Sequence, residues 1–343
     1  MDKLYSLQIL RGIAAWSVVF HHYMQLFYNF QADSWLGKLF HTRGNFGVDV
    51  FFILSGFLMY IISQNNSVSA TTFWFKRVIR VMPAYWFFTS CLIIFLILFP
   101  MEFSFTDFNS GSLLKSYFLI PSMNPSGIGV IPFLTVGWTL IFEMVFYTAL
   151  SISLFLSRKY AISICLVLIG AAPFIFPGGN LYSHVLGEFK IYQFLVGILI
   201  GIYFKSKYFD KINTILLPIF QSLTLLFIAV FLLSGFLGYG LLHKSISAGL
   251  IVLAFILMDS SLSYTGKIAK FFVSLGDYSY SVYLCHVLIL GAVLNVFGNQ
   301  LGMIDEFGVI VLIIILVHIT SVLSYNHVEN GTASNKLKRM LIK

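Results

Sequence analysis

Arg11 and His22 lie eleven residues apart in the first apolar run of the chain, between Leu7 and Tyr23. At about 100° per residue, eleven steps make about three helical turns, so the two side chains share one face roughly 16 Å apart. The adjacent His21 is rotated off that face. Ionisable groups are costly inside a bilayer and mark sites or pathways. The competing reading has Arg11 snorkelling to headgroups and His22 bonded to a neighbouring helix. A neutral histidine at that depth can take a proton as a general base or accept a transferred group as a nucleophile.

Two acids and an arginine pair extend this set. Asp49 opens the run Phe46-Gly47-Val48-Asp49, where a carboxylate either stabilises the positive end of a helix or stands beside His22. Glu143 lies about two turns into the apolar run that starts at Val136. An unpartnered carboxylate there would protonate, so its partner is expected on another helix, and His22 lies at a comparable depth toward the outer leaflet. Arg77 and Arg80 are three residues apart in a basic, aromatic stretch from Phe73 to Trp86. On a helix they turn two guanidinium forks to one side, which suits a phosphorylated ligand. As positive-inside residues they would hold only lipid headgroups.

The elements that must position these groups are membrane helices. Of 343 residues, 59% are hydrophobic and 10% charged, and the mean hydropathy is +0.90, which excludes an ordinary soluble domain. Apolar runs bounded by charges and Gly/Pro/Asn clusters fall at 7–27, 46–63, 82–99, 134–156, 160–176, 188–204, 212–232, 243–259, 272–296 and 307–326. The expectation is an all-α polytopic membrane protein with ten transmembrane helices in one bundle and both termini cytoplasmic. That topology puts sixteen of the 21 basic residues inside, which explains the net charge of +8 without a nucleic-acid partner. Lys3, Lys211 and Lys343 belong to that count, as do Lys76, Lys336, Lys338 and Arg339. The three cysteines, Cys91, Cys165 and Cys285, sit in apolar runs without metal-ligand spacing and read as core residues. No metal site is expected. The first span lacks a small-residue cleavage site and is expected to be retained.

The longest non-spanning stretch, from Pro100 to Leu134, is turn-rich between Pro121 and Gly127 and serves as either a lid or a connector. A single membrane domain over 1–330 is expected, with 331–343 a short basic cytoplasmic tail touching anionic lipid. In the ninth run, the serine- and tyrosine-rich face and His286 read as polar contacts between helices.

Taken in order, Arg11 and His22, GVDVFFILSGFLM, Arg77-x-x-Arg80 with Pro83, GWTLIFEMVFY and LGDYSYSVYLCH resemble the transmembrane acyltransferase-3 superfamily, over residues 7 to about 330. The likeness is greatest to stand-alone exopolysaccharide and O-antigen O-acyltransferases of the bacterial inner membrane, without a fused extracytoplasmic esterase-like domain. The resemblance implies His22 as the essential histidine, Arg11 as its basic partner, Arg77 and Arg80 as the basic pair and Glu143 as the acid. Asp49 stands in reserve, and Trp138 of the same block is expected at the substrate. It implies acyl transfer from cytoplasmic acyl-CoA, most often acetyl-CoA, to a hydroxyl of a surface polysaccharide or its lipid-linked precursor. No permanently bound cofactor is expected. One departure is His21, since most members carry a single histidine here. A proton-coupled transporter using His22, Asp49 and Glu143, and a scaffold whose polar residues only join helices, are the other readings.

Overall fold

Residues 4–31, 34–65, 68–99, 110–209, 218–298 and 306–341 are described by the structure, a computed structural model. Lys3, Lys211 and Lys343 of the charge count lie outside the described residues. The described residues form helices and connecting segments, with no strand among them. In chain order the helices are α1 (Tyr5–Tyr28), α2 (Trp35–Arg43), α3 (Phe46–Ser63), α4 (Ala70–Leu98), α5 (Ser110–Tyr117), α6 (Trp138–Leu156) and α7 (Ala161–Ile175). There follow α8 (Ser183–Leu186), α9 (Tyr192–Phe204), α10 (Pro218–Leu233), α11 (Leu241–Met258), α12 (Lys267–Asp277) and α13 (Ser279–Phe297). The last are α14 (Glu306–Ser324) and α15 (Thr332–Leu341), joined through a π-helical turn, Tyr325–Glu329.

Six stretches among the described residues are long and apolar enough to cross a membrane: Phe46–Ser63, Ala70–Leu98, Thr135–Leu156, Leu241–Ser261, Ser279–Phe297 and Phe307–Met340. They fall on six of the expected runs. Ala161–Ile175, Phe189–Phe204 and Pro218–Leu233 are apolar but shorter. α1 has the length, at 24 residues, but Gln8, Arg11, His21 and His22 lower its apolarity.

The chain divides into two compact units, Met1–Asn65 with Tyr192–Tyr280, and Asn66–Ile191 with Ser281–Lys343. In the first, Leu7, Leu10 and Ala14 of α1, Val50, Ile53 and Phe57 of α3, and Ala248, Val252 and Ile256 of α11 bury one apolar core. Two close crossings depend on glycine. A Cβ on Gly56 of α3 would lie 2.1 Å from the Phe194 carbonyl oxygen of α9, and one on Gly276 of α12 would lie 1.9 Å from the Gln8 carbonyl oxygen of α1. The expected ninth run at 272–296 therefore begins in α12, which packs on α1, and the helix breaks at Tyr278 before α13 starts.

Asp259 Oδ1 accepts the Ser6 backbone N–H at 2.7 Å, setting a negative charge at the positive end of α1. Tyr264 donates to the same oxygen at 3.1 Å. Burial first, then the neighbouring Asp259, pushes the Tyr264 hydroxyl above the usual tyrosine value, so it remains a donor.

In the second unit, α4 packs on α6 and α6 on α7. The basic stretch from Phe73, placed before the third expected run at 82–99, is the first part of one 29-residue helix that includes that run's described residues up to Leu98. Ser69 caps its start by accepting the Thr72 N–H. Pro83 lies inside the helix and does not stop it, and the start of the helix is tied to α6 by Ser151 Oγ to Ala70 O, 2.9 Å, and Trp74 Nε1 to Thr148 Oγ1, 3.2 Å. At 1.5 Å per residue α4 is about 43 Å long, more than a hydrocarbon core of about 30 Å, so its basic end can lie outside the hydrocarbon. The long connection is pinned rather than loose at its described part. Tyr85 donates to Ser116 O at 2.8 Å, Phe133 N to Ser116 Oγ at 2.7 Å and Asn124 Nδ2 to Pro132 O at 2.8 Å.

Candidate active site

Arg11, His22 and Asp49 belong to the first unit. α1 is helical throughout the interval, so Arg11 and His22 do share a face three turns apart. Arg11 Nη1 lies 3.4 Å from Gln8 Oε1. His22 Nδ1 is bonded to Gln25 Oε1 at 2.8 Å, a residue one turn on in the same helix. The amide oxygen accepts, so in the neutral ring Nδ1 carries the proton and Nε2 is the basic nitrogen. His21 is engaged elsewhere: its Nδ1 meets the Phe40 carbonyl at 3.0 Å, and its ring lies 5.2 Å from that of Phe30. Asp49 is buried, at 1% exposure. It is more than a helix-end charge, because Gln193 of α9 donates to its Oδ1 at 2.7 Å while the same amide nitrogen lies 3.2 Å from Ser245 Oγ. A neutral donor from another helix satisfies one of its oxygens.

Trp138, Glu143, Arg77 and Arg80 belong to the second unit. Glu143 Oε1 accepts from Tyr147, one turn on along α6. On α4, the guanidinium of Arg77 lies within electrostatic range of Tyr147, Arg80 and Glu143. Arg77 Nε makes no hydrogen bond among the described residues. Trp138 stands at the start of α6, with Lys190 Nζ 5.0 Å from its ring centre and the Phe142 ring edge-on at 5.8 Å.

Arg80 forms an ion pair with Glu329 of the π-helical turn. Glu329 is 3% exposed at its side chain, and Ser281 Oγ donates to its other oxygen at 2.6 Å while lying 2.9 Å from Ser324 Oγ. The serine face of α13 thus joins helices, as expected of it, and also holds an acid against an arginine. Tyr283 continues the pattern, bonding Thr139 Oγ1 at 2.9 Å and Val136 O at 3.1 Å, and buried His286 meets the Val282 carbonyl at 3.2 Å.

Arg77 and Arg80 line one cavity of about 460 Å³ together with Lys76, Glu329, Lys338 and Arg339. Its size is that of a small-molecule site, and its charge is that of a site for an anion. Sequence reasoning found the two arginines and missed the rest. Glu329 was detectable as one of only 13 acids, just beyond the last span. Lys338 and Arg339 were counted on the same side as Arg77 and were assigned to lipid. Gln25 and Gln193 gave no signal, since neutral amides are common.

Comparisons with known proteins bear on the chemistry. The family model described as an acyltransferase domain, acyltransferase-3, matches residues 4–326. The exopolysaccharide production protein ExoZ of Rhizobium meliloti (strain 1021) is 30% identical over 261 residues, covering 74% of this chain and 78% of that protein. The acyltransferase MdmB of Streptomyces mycarofaciens is 27% identical over 334 residues, covering 88% and 82%. No solved structure matches. A family model spanning almost the whole length, on a chain whose basic pair faces an anion-sized cavity and whose first helix carries the histidine, leaves one assignment: the chain belongs to the acyltransferase-3 family of membrane acyltransferases.

Proposed function

We propose that the chain is an O-acyltransferase of the bacterial inner membrane. It moves an acyl group, acetyl in the first instance, from cytoplasmic acyl-CoA to a hydroxyl of a surface polysaccharide or its lipid-linked precursor on the outer side. The observation that carries this reading is the cavity where Arg77 and Arg80 meet further basic side chains, in a chain of this family. A polysaccharide acceptor is supported by the name of the exopolysaccharide relative.

His22 acts through Nε2, the basic nitrogen that the Gln25 bond selects. In direct transfer the acceptor hydroxyl gives its proton to Nε2 as its oxygen attacks the thioester carbonyl. The C–S bond breaks, and the imidazolium returns the proton to the coenzyme thiolate. In the relay version Nε2 attacks the thioester carbonyl and the C–S bond breaks, releasing the coenzyme thiolate; the acceptor hydroxyl then attacks the acyl-imidazolium, the N–C bond breaks, and the hydroxyl proton ends on the thiolate. Arg11, three turns away on the same face, adds charge for the donor phosphates. Asp49, held by Gln193 in the same unit, is the acid that stabilises the cationic ring or its surroundings, and Glu143, held by Tyr147 and near Arg77, is the acid beside the arginine pair. Trp138 offers an aromatic face to the acceptor.

The reading includes ten spans with both termini cytoplasmic. Support comes from the basic-residue asymmetry and from Lys76, Arg77 and Arg80 sharing a cavity with Lys338 and Arg339, as segments on one side must.

The test is transfer itself. Vesicles containing the purified protein are given radiolabelled acetyl-CoA outside and the host polysaccharide inside, with the cytoplasmic face outward. Alkali-labile label on the polysaccharide is the expected result. Absence of ester in vesicles that accumulate a solute in step with a proton gradient would instead make the chain a transporter.

A further inference from the structure

The cavity beneath Arg77 and Arg80 has a second wall. After the π-helical turn, α15 returns to pack on α4 and brings Lys338 and Arg339 to the lining that already holds Lys76, Arg77 and Arg80. Five basic side chains from two helices thus surround one space of about 460 Å³, and Glu329 is the one carboxylate in that lining among the described residues. The Glu329 charge is committed to Arg80, and Ser281 fixes it from behind. Four further basic residues, Lys76, Arg77, Lys338 and Arg339, line the same space. Like charges gathered this closely repel one another, so the arrangement favours a polyanion in the cavity.

We infer that α15 is part of the donor site, and that Lys338 and Arg339 join Lys76, Arg77 and Arg80 in holding a nucleotide coenzyme that carries both a diphosphate and a phosphomonoester. The inference rests on the acyl-CoA reading above and extends it to a selectivity. A phosphomonoester brings about −1.5 to −2 charges near neutral pH, and the two phosphates of the diphosphate bring about one each. The sum of about four is comparable to the four basic lining residues other than Arg80. A membrane phospholipid offers similar phosphate chemistry but only about one charge per headgroup, and it lies in a plane rather than in a pocket. Lysine and arginine serve differently here: the guanidinium groups grip phosphate oxygens in pairs, and the ammonium groups act as point charges that follow a mobile phosphate. The C-terminal helix is then a donor-recognition element that must be folded onto α4 for the coenzyme to be read in full.

The experiment measures binding of coenzyme A and dephospho-coenzyme A to the full-length protein in nanodiscs of zwitterionic lipid. The wild type is expected to prefer coenzyme A by roughly ten-fold or more, and K338Q/R339Q to lose roughly ten- to a hundred-fold of that affinity. The same variant should bind dephospho-coenzyme A nearly as before, so the preference collapses, whereas K338R/R339K should keep it. A readout that needs no variant is labelling of Lys338 by an amine-reactive reagent in the wild type, which coenzyme A should suppress and dephospho-coenzyme A should not. Wild-type coenzyme A affinity in K338Q/R339Q, with loss in R77A/R80A, overturns the role of α15 and leaves the donor reading standing. No change in either variant overturns both. Unchanged coenzyme A binding in K338Q/R339Q, together with lost binding to phosphatidylglycerol vesicles, would make α15 a lipid-headgroup element and overturn the inference.

Discussion

Arg77 and Arg80 point to the same cavity, yet their removal should have different consequences. Arg80 is the ionic partner of a carboxylate that is only 3% exposed, whereas its own side chain is 36% exposed. Arg80→Ala leaves Glu329 buried with Ser281 as its remaining named donor. Breaking one side of a fully buried pair costs about 3–5 kcal/mol. The exposure of Arg80 and the Ser281 bond reduce this, to about 2 kcal/mol. Arg77 makes no ion pair among the described residues, so Arg77→Ala should leave stability near wild type. Both variants should weaken acyl-CoA binding roughly ten- to a hundred-fold. The assay is thermal unfolding of the purified protein in nanodiscs, paired with calorimetric binding of acetyl-CoA. Arg80→Ala should lower the apparent Tm by a few degrees, on the order of 2–4 °C per kcal/mol or less for a chain of this length. Adding Glu329→Gln should restore most of the Tm without restoring binding, because the buried charge has gone while the phosphate contact is still missing. A wild-type Tm for Arg80→Ala, or no recovery in the double variant, would refute the argument that Glu329 is an anchored partner of Arg80.

Gln25→Ala removes the acceptor on His22 Nδ1 and should lower kcat roughly 3- to 10-fold with donor affinity unchanged, whereas Gln25→Glu should keep most of the rate; steady-state kinetics decide, and an unaltered kcat in Gln25→Ala would remove the orienting role. Gly56→Ala sets a methyl group 2.1 Å from a backbone oxygen and should cost about 1–3 kcal/mol or more. Gly291→Ala, with open space around its Cβ, should be neutral, and equal Tm values for the two would contradict the close-crossing argument. Reporter fusions after Lys3 and after Arg339 should both report cytoplasm, and an external C-terminus would contradict the even number of spans.

Much of the scaffold can be read from the sequence because it follows from local rules. Apolar runs between charges mark where helices lie, and the spacing of Arg11 and His22 places them on one face before any contact is known. The limits of α4 were harder to see. Basic residues and Pro83 look like a boundary, but one helix runs through them and packs on α6. The polar partners were illegible for a different reason. Glu329 meets Arg80 across 249 positions and Gln193 meets Asp49 across 144, and no periodicity in one segment encodes such pairings. The assignment of the tail to lipid followed from its charge alone, which is the same for a headgroup and for a coenzyme. What the charge does not reveal is that α15 returns to α4 and lines the same cavity as Arg77 and Arg80.

The claim on which the account turns is that His22 is the reacting or proton-accepting group, and its neighbour provides the control. His21 shares its depth but is bonded to the Phe40 carbonyl. The decisive measurement is acyl transfer by His22→Gln and His21→Gln, each purified, matched for membrane level and checked for acetyl-CoA binding. The account predicts no transfer by His22→Gln with donor binding intact, and most of the activity retained by His21→Gln. Transfer by His22→Gln at near the wild-type rate, or loss confined to His21→Gln, would contradict it.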